Sequence, residues 1–164
     1  MERGYCTKTL PQVQYQRLIW YSAYIMINNT TISQSFELDC TPEVAFHAWL
    51  DSKEHGEMLA SPGEATIDSR VGGEFSIWDG AITGKTTAID ADKQIIEQDW
   101  RYDYDDWSAA LPSKLVIEFA PHGESHTMVK IMQTHVPEQH LKDITTGWEE
   151  YYWKPMKAHF SSTK

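Results

Sequence analysis

Glu97, Asp99 and Arg101 alternate with Ile96, Gln98 and Trp100 along a single run of residues. A strand turns successive side chains to opposite faces, so the charged three share one face. On an inner face, a carboxylate beside a guanidinium has a perturbed pKa and can serve as an acid or base. On an outer face the same three are a solvated surface, the ordinary place for charged side chains. Seven histidines raise the question of a metal. His122 with His126 and His135 with His140 stand close in sequence, but neither pair brings a third ligand at a recognisable spacing and both fall beside turns. They read as solvated histidines, and no metal is expected. Ser61, Ser69 and Ser76 lack the strand–turn–helix setting of a nucleophile elbow, and no base is identifiable near them, which argues against a hydrolase. Cys6 and Cys40 form neither a Cys-x-x-Cys pair nor a disulfide framework, and read as reduced thiols of a cytoplasmic protein. These residue types single out no catalytic residue and no cofactor.

The chain that must position such groups has 164 residues, the size of one domain with one core. Its hydrophobic share of 41%, with 12% aromatics, is enough apolar area to offset the entropy of ordering. A formal charge of −10 repels phosphate backbones and anionic lipid surfaces, so neither nucleic acid nor membrane is an expected partner. The apolar stretch from Leu18 to Ile27 is half the roughly 20 residues a bilayer span needs, and no small-residue cleavage site follows it. The Asn28-Asn29-Thr30-Thr31 sequons therefore carry no weight.

From Ile32 to Leu38 the residues alternate as a half-buried strand does, with Ile32, Phe36 and Leu38 on the core side. Thr41-Pro42-Glu43 reads as helix cap, first-turn proline and an acidic residue suited to the helix dipole, opening a short helix that ends near Leu50. A second short helix around Lys53–Leu59 stops at Ser61-Pro62-Gly63. Turn signals at Val71-Gly72-Gly73, Trp78-Asp79-Gly80, Ala91-Asp92-Lys93 and Pro121-His122-Gly123 then punctuate β-prone runs. Strands are expected near 64–70, 73–78, 81–89, 94–103, 113–120 and 126–135, paired antiparallel because the turns are short. The acidic, aromatic stretch from Tyr102 to Pro112 is a longer loop. After Pro137, Leu141, Ile144, Trp148, Tyr151 or Tyr152, Met156 and Phe160 recur at helical spacing, with Pro155 expected to kink or loosen the helix.

Strand, two short helices, six antiparallel strands and a long last helix make a helix-grip arrangement, α+β in class. Within it, the run from Gly72 through Glu74-Phe75-Ser76-Ile77-Trp78-Asp79-Gly80 to Lys85 resembles a hairpin of the family named for activators of the ninety-kilodalton heat-shock protein's ATPase (AHSA-type). Gln94–Arg101, Ser113–Phe119 and Gly147–Tyr152 resemble the same family in the same order, and the likeness runs from about Thr31 to Phe160. The resemblance implies a START-like (SRPBCC, Bet v-like) fold: a curved antiparallel sheet, two short helices, and a C-terminal helix packed across it. It also implies a hydrophobic cavity between sheet and helix, and a heat-shock chaperone as a partner. Two-domain members carry a separate N-terminal domain associated with ATPase stimulation, which has no counterpart among these residues. Residues 31–164 are thus read as the AHSA-type domain and 1–30 as an N-terminal extension, either disordered or adding a strand. Because the likeness begins just after Met26, a translation start at Met26 is a further expectation.

Phe36, Phe75, Ile77, Trp100, Leu115, Ile117, Phe119, Trp148, Tyr152 and Met156 fall on the expected inner faces, where they either line a pocket for a small hydrophobic ligand or meet as a filled core. The function expected is non-enzymatic binding, of such a ligand or of a protein in a co-chaperone-like docking role. The alternative is a cyclase-like enzyme acting on a hydrophobic small molecule, for which Arg101, Glu97 and Tyr152 are the candidate groups. The domain is expected as a monomer or a homodimer, the latter if the 18–27 segment seals an interface.

Overall fold

The computed structural model describes residues 30–107 and 111–162; the expectations for 1–29, including the Met26 start, the 18–27 segment and Cys6, lie outside the described residues. The strands are β1 (Thr31–Leu38), β2 (Ala65–Ile67), β3 (Glu74–Ile77), β4 (Ile82–Asp90), β5 (Ile95–Tyr102), β6 (Ser113–His122) and β7 (His126–Thr134). Between β1 and β2 lie α1 (Pro42–Leu50) and α2 (Ser52–Met58). All seven strands form one curved antiparallel sheet in the order β1-β7-β6-β5-β4-β3-β2, so the first strand closes against the last.

Alternation decides which side of the sheet is wet. Ile32, Phe36 and Leu38 of β1, Ile96, Gln98 and Trp100 of β5, and Leu115, Ile117 and Phe119 of β6 are all buried against the helices. The intervening Glu97, Asp99 and Arg101 lie on the outer face, where Lys114 Nζ reaches the Asp99 carboxylate. Gly84 of β4 stands between Phe75 and Trp100 in the ladder, whose rings come within 5.5 Å of each other. A Cβ at Gly84 would sit 2.0 Å from the Asp99 carbonyl oxygen and 2.4 Å from Phe75 Cζ, so only glycine lets the two rings close over the strand.

The caps differ from expectation in one respect. Thr41 takes the extended cap conformation with Pro42 behind it, yet makes no side-chain cap bond. Asp51 is the residue that caps, its Oδ1 accepting from Lys53 N and Glu54 N at 2.9 Å each. β2 is shorter than expected and ends at Ile67; Asp68 N still donates to the Glu74 carbonyl at 3.0 Å, and its carboxylate holds Arg70, whose Nε donates to Oδ1 at 2.9 Å and Nη2 to Oδ2 at 2.6 Å.

The last helix is three joined pieces: α3 (Leu141–Gly147), a π-helical stretch Trp148–Trp153, and α4 (Lys154–Ser161), preceded by a 3-10 turn Glu138–His140. Pro155 causes the change of pitch. It has no N–H to give the carbonyl four residues back, and the ladder widens just before it, Lys154 N donating to the Glu149 carbonyl five residues back. Proline here loosens the helix without breaking it.

Candidate functional site

Most of the aromatic set is core. Trp100, Trp148 and Tyr152 pack in succession, ring centroids 5.0 Å apart for the first pair and 4.8 Å for the second, with Trp49 of α1 at 5.5 Å from Tyr152. Ile77, Leu115, Ile117, Phe119 and Met156 are each 2% exposed or less among them. Phe75 also borders a cleft on the outer face, beside Arg101 and Lys85. Phe36 stacks on Trp153 at 4.0 Å under the Lys157 ammonium.

Two buried glutamines complete this core. Gln98 Oε1 accepts from the indole N–H groups of Trp49 at 3.1 Å and Trp100 at 3.0 Å, while its Nε2 donates to Thr86 Oγ1 at 3.1 Å. Gln133 Oε1 accepts from Trp148 Nε1 at 2.7 Å, and its Nε2 donates to Ser113 Oγ at 2.8 Å. Large indoles can be buried so deeply because each N–H has found an acceptor.

Where the C-terminal helix leaves the sheet, the packing opens into a half-open cavity of about 320 Å³. That is near the lower bound of about 300 Å³ for small-molecule sites. Trp148 and Tyr152 of the expected set line it. The helix adds Asp143, Ile144, Gly147 and Tyr151, so positions 143, 147, 151 and 144, 148, 152 form two adjacent stripes at four-residue spacing. Opposite stand Ala81 and Ile82 opening β4, Tyr102 ending β5, and Asp103 and Tyr104 beyond it.

Trp78 forms the third wall. It and Asp79 sit in the left-handed region, φ 51° and 52°, ahead of Gly80. For a bulky residue that is a costly conformation, of order 1–2 kcal/mol. It is held by Trp78 Nε1 donating to Ser61 Oγ at 3.1 Å, and by edge contacts of the indole with Tyr152 at 5.5 Å and Tyr151 at 6.1 Å. Stacking likewise holds residues 104–107: Tyr104 lies flat on His140 at 4.1 Å, and His140 Nε2 meets Asp106 Oδ1 at 2.7 Å.

The polar chemistry of the cavity is sparse. Tyr152 is 2% exposed, and its hydroxyl has no hydrogen-bond partner among the described residues. Burial, with Tyr102 nearby, pushes that hydroxyl well above its ordinary pKa, so it is a neutral phenol. Burial and then the Asp143 carboxylate raise Tyr104. On the far side of Tyr152, ring centroids 6.0 Å away, His55 donates from Nδ1 to the Trp49 carbonyl at 2.9 Å, and its Nε2 has no partner among the described residues. Desolvation lowers its pKa to about 4, so it is neutral.

The three groups proposed for an enzyme are not brought together: Tyr152 lines the cavity from within, whereas Glu97 and Arg101 lie on the other side of the sheet. His122 and His126 face each other in the β6–β7 ladder beside Glu37 and Asp39 respectively. Among the described residues no group of three or more His, Cys, Asp or Glu could hold a metal ion. Sequence reasoning missed Trp78, Tyr102, Asp103, Tyr104 and Asp143 as cavity residues. The signals were an aromatic residue inside a turn, and Asp143, Gly147 and Tyr151 repeating every four residues.

A family model described as Activator of Hsp90 ATPase homolog 1-like protein matches residues 39–161. A curated relative, the activator of 90 kDa heat shock protein ATPase homolog of Dictyostelium discoideum, is 28% identical over 131 residues, which is 80% of this chain and 33% of that protein. The chain thus spans about a third of the length of the curated relatives it matches. Among solved structures, an HSP90 activator from Plasmodium falciparum superposes with a TM-score of 0.70 at 25% identity, covering 79% of this chain and 95% of that one. The Aha1 dimer from Colwellia psychrerythraea gives 0.64 at 13% identity over 82% of this chain and 99% of that one, a likeness of fold. With three-quarters of its length, from α1 through the C-terminal helix, accounted for by that family model, the chain belongs to the family of Activator of Hsp90 ATPase homolog 1-like proteins.

Proposed function

We propose that this domain is a non-enzymatic binding module that holds a small ligand with a largely apolar body in the cavity between β4–β5 and the C-terminal helix. The observation that carries the reading is the half-open cavity of about 320 Å³ walled by the aromatic side chains of Trp78, Tyr102, Tyr104, Trp148, Tyr151 and Tyr152. Covering apolar ring surface from water is favourable by about 25 cal/mol per Å², and a ligand with an apolar body does so. The ligand residues of this reading are Trp148 and Tyr152 from the aromatic set, joined by Trp78, Tyr102 and Tyr151. A cytoplasmic location goes with it, in keeping with two cysteines that form neither a Cys-x-x-Cys pair nor a disulfide-rich framework.

The test is native mass spectrometry of freshly purified protein beside a Gly147→Leu variant. Gly147 lines the cavity in ordinary helical conformation, and a Cβ there would meet Tyr151 Cδ2 at 3.7 Å, an ordinary contact, so the leucine fills the space without displacing the core. A stoichiometric adduct on the native chain, lost in Gly147→Leu, is the expected result; an adduct retained by the variant places the ligand elsewhere.

A second reading is favoured by the names of the relatives: docking to a ninety-kilodalton heat-shock chaperone, as the Dictyostelium and Plasmodium proteins are named for. Sedimentation of the domain with that chaperone tests it, co-migration supporting docking and independent boundaries refuting it. The same run reports monomer or homodimer.

A further inference from the structure

The cavity's lining has a sign. Six of its residues are aromatic: Trp78, Tyr102, Tyr104, Trp148, Tyr151 and Tyr152. Among the described residues its only charged lining groups are two carboxylates, Asp103 and Asp143, with no lysine, arginine or histidine beside them. Both acids are exposed, one on each side of the mouth, and neither takes part in an ion pair among the described residues. Other exposed carboxylates, Glu43, Glu64 and Glu97 among them, also stand outside ion pairs among the described residues, so what sets Asp103 and Asp143 apart is their place in the lining of an aromatic cavity. Burial first, and then the Asp143 carboxylate, raise the pKa of Tyr104, another residue of the lining.

Aromatic faces carry negative potential, and a cation within about 6 Å of a ring centroid is attracted, most strongly where water is excluded. Carboxylates at the mouth of a low-dielectric cleft focus that attraction and repel anions. A neutral apolar guest would use the rings and leave the two acids without a role; a fatty-acid-like anion would be opposed by both.

We infer that the ligand of this cavity is a small organic cation, a protonated or quaternary ammonium on a compact apolar body, held between the aromatic walls with Asp103 and Asp143 at its entrance. This rests on the reading of the cavity as a ligand site. The ammonium lies against the faces of Trp78, Tyr104 and Tyr151 near the mouth, and the apolar body reaches toward Trp148.

The experiment uses three matched probes on the full chain, followed by two-dimensional NMR of the Gly147 amide and the Trp78 indole: phenyltrimethylammonium, its neutral isostere tert-butylbenzene, and the anion benzoate. The ammonium is expected to shift both signals and to bind about tenfold tighter than the neutral isostere. Benzoate is expected to bind more weakly than either. In an Asp103→Asn, Asp143→Asn double variant, substituted only at exposed positions, the ammonium loses most of that advantage while tert-butylbenzene binds as before. Equal or tighter binding of tert-butylbenzene or benzoate to the unmodified chain overturns the cationic class and leaves the cavity reading standing. An ammonium preference that survives the double variant overturns the role of the two acids. Failure of all three probes to shift either signal overturns both readings.

Discussion

Acidification should destabilise this domain through one histidine. His55 is 1% exposed, its Nδ1–H is committed to the Trp49 carbonyl, and desolvation holds its folded pKa at about 4 against an ordinary 6.5. Above pH 6.5 both folded and unfolded chains carry a neutral imidazole, and the shift contributes nothing. Between pH 6.5 and about 4 the unfolded chain takes up a proton that the folded chain refuses, so stability rises with pH across that window and falls as acid is added. At about 1.4 kcal/mol per unit of separation, the loss is about 2 kcal/mol at pH 5 and approaches about 3 kcal/mol below pH 4. Urea unfolding at pH 7.5, 6.5, 5.5 and 5.0, on the native chain and on His55→Gln, isolates the effect. Glutamine can still donate to the Trp49 carbonyl and does not titrate. The native curve should fall by about 2 kcal/mol more than the variant's between pH 7.5 and 5.0. Parallel curves would refute the reasoning, because they would mean that the buried ring accepts its proton as readily as the unfolded one.

Gly84→Ala should cost at least about 3 kcal/mol or prevent folding, measured by urea midpoint, because its Cβ meets the Asp99 carbonyl and the Phe75 ring; a loss below about 1 kcal/mol would mean that the strands part easily there. Asp51→Ala should cost about 1 kcal/mol in the same assay for the two α2 amide bonds lost, and an unchanged midpoint would show the cap to be replaced by water. Tyr152→Phe removes a hydroxyl without a partner, so the free protein should be as stable or gain about 1 kcal/mol; a loss greater than that would reveal a partner for the hydroxyl. Trp148→Phe, by contrast, strands the Gln133 oxygen that its indole N–H satisfied and should cost about 1–3 kcal/mol beyond the smaller ring's lost burial.

Local pattern carried the architecture well. Ile32, Phe36 and Leu38 alternate as a one-sided strand must, the residues of β5 divide by parity into a wet and a dry face, and a proline six residues from the end of the last helix announced its change of pitch. What escaped was whatever depends on partners distant in sequence. Gln98 and Gln133 look like ordinary polar strand residues until Trp49, Trp100 and Trp148 converge on them from three elements. The same holds for the candidate site. Tyr152 and Trp148 were legible from helical spacing, but Trp78, Tyr104 and Asp143 become neighbours only through the twist of the sheet and the stacking of an irregular loop. The Thr41 expectation failed for a simpler reason: a cap residue's identity does not oblige its side chain to bond, and the caps here lie at Asp51.

The pairing of β1 with β7 has a temporal consequence. β2 to β7 form a meander in which each hairpin can close as soon as its second strand is available, but Thr31 must meet Thr134, about a hundred residues later. Closing a loop of that length costs roughly 2 kcal/mol more entropy than closing one of ten residues. The strand made first is therefore the strand placed last. Until it arrives, the β7 edge and the apolar faces of Val129 and Ile131 stand open, and the newly made chain is most vulnerable to pairing with another copy during that interval.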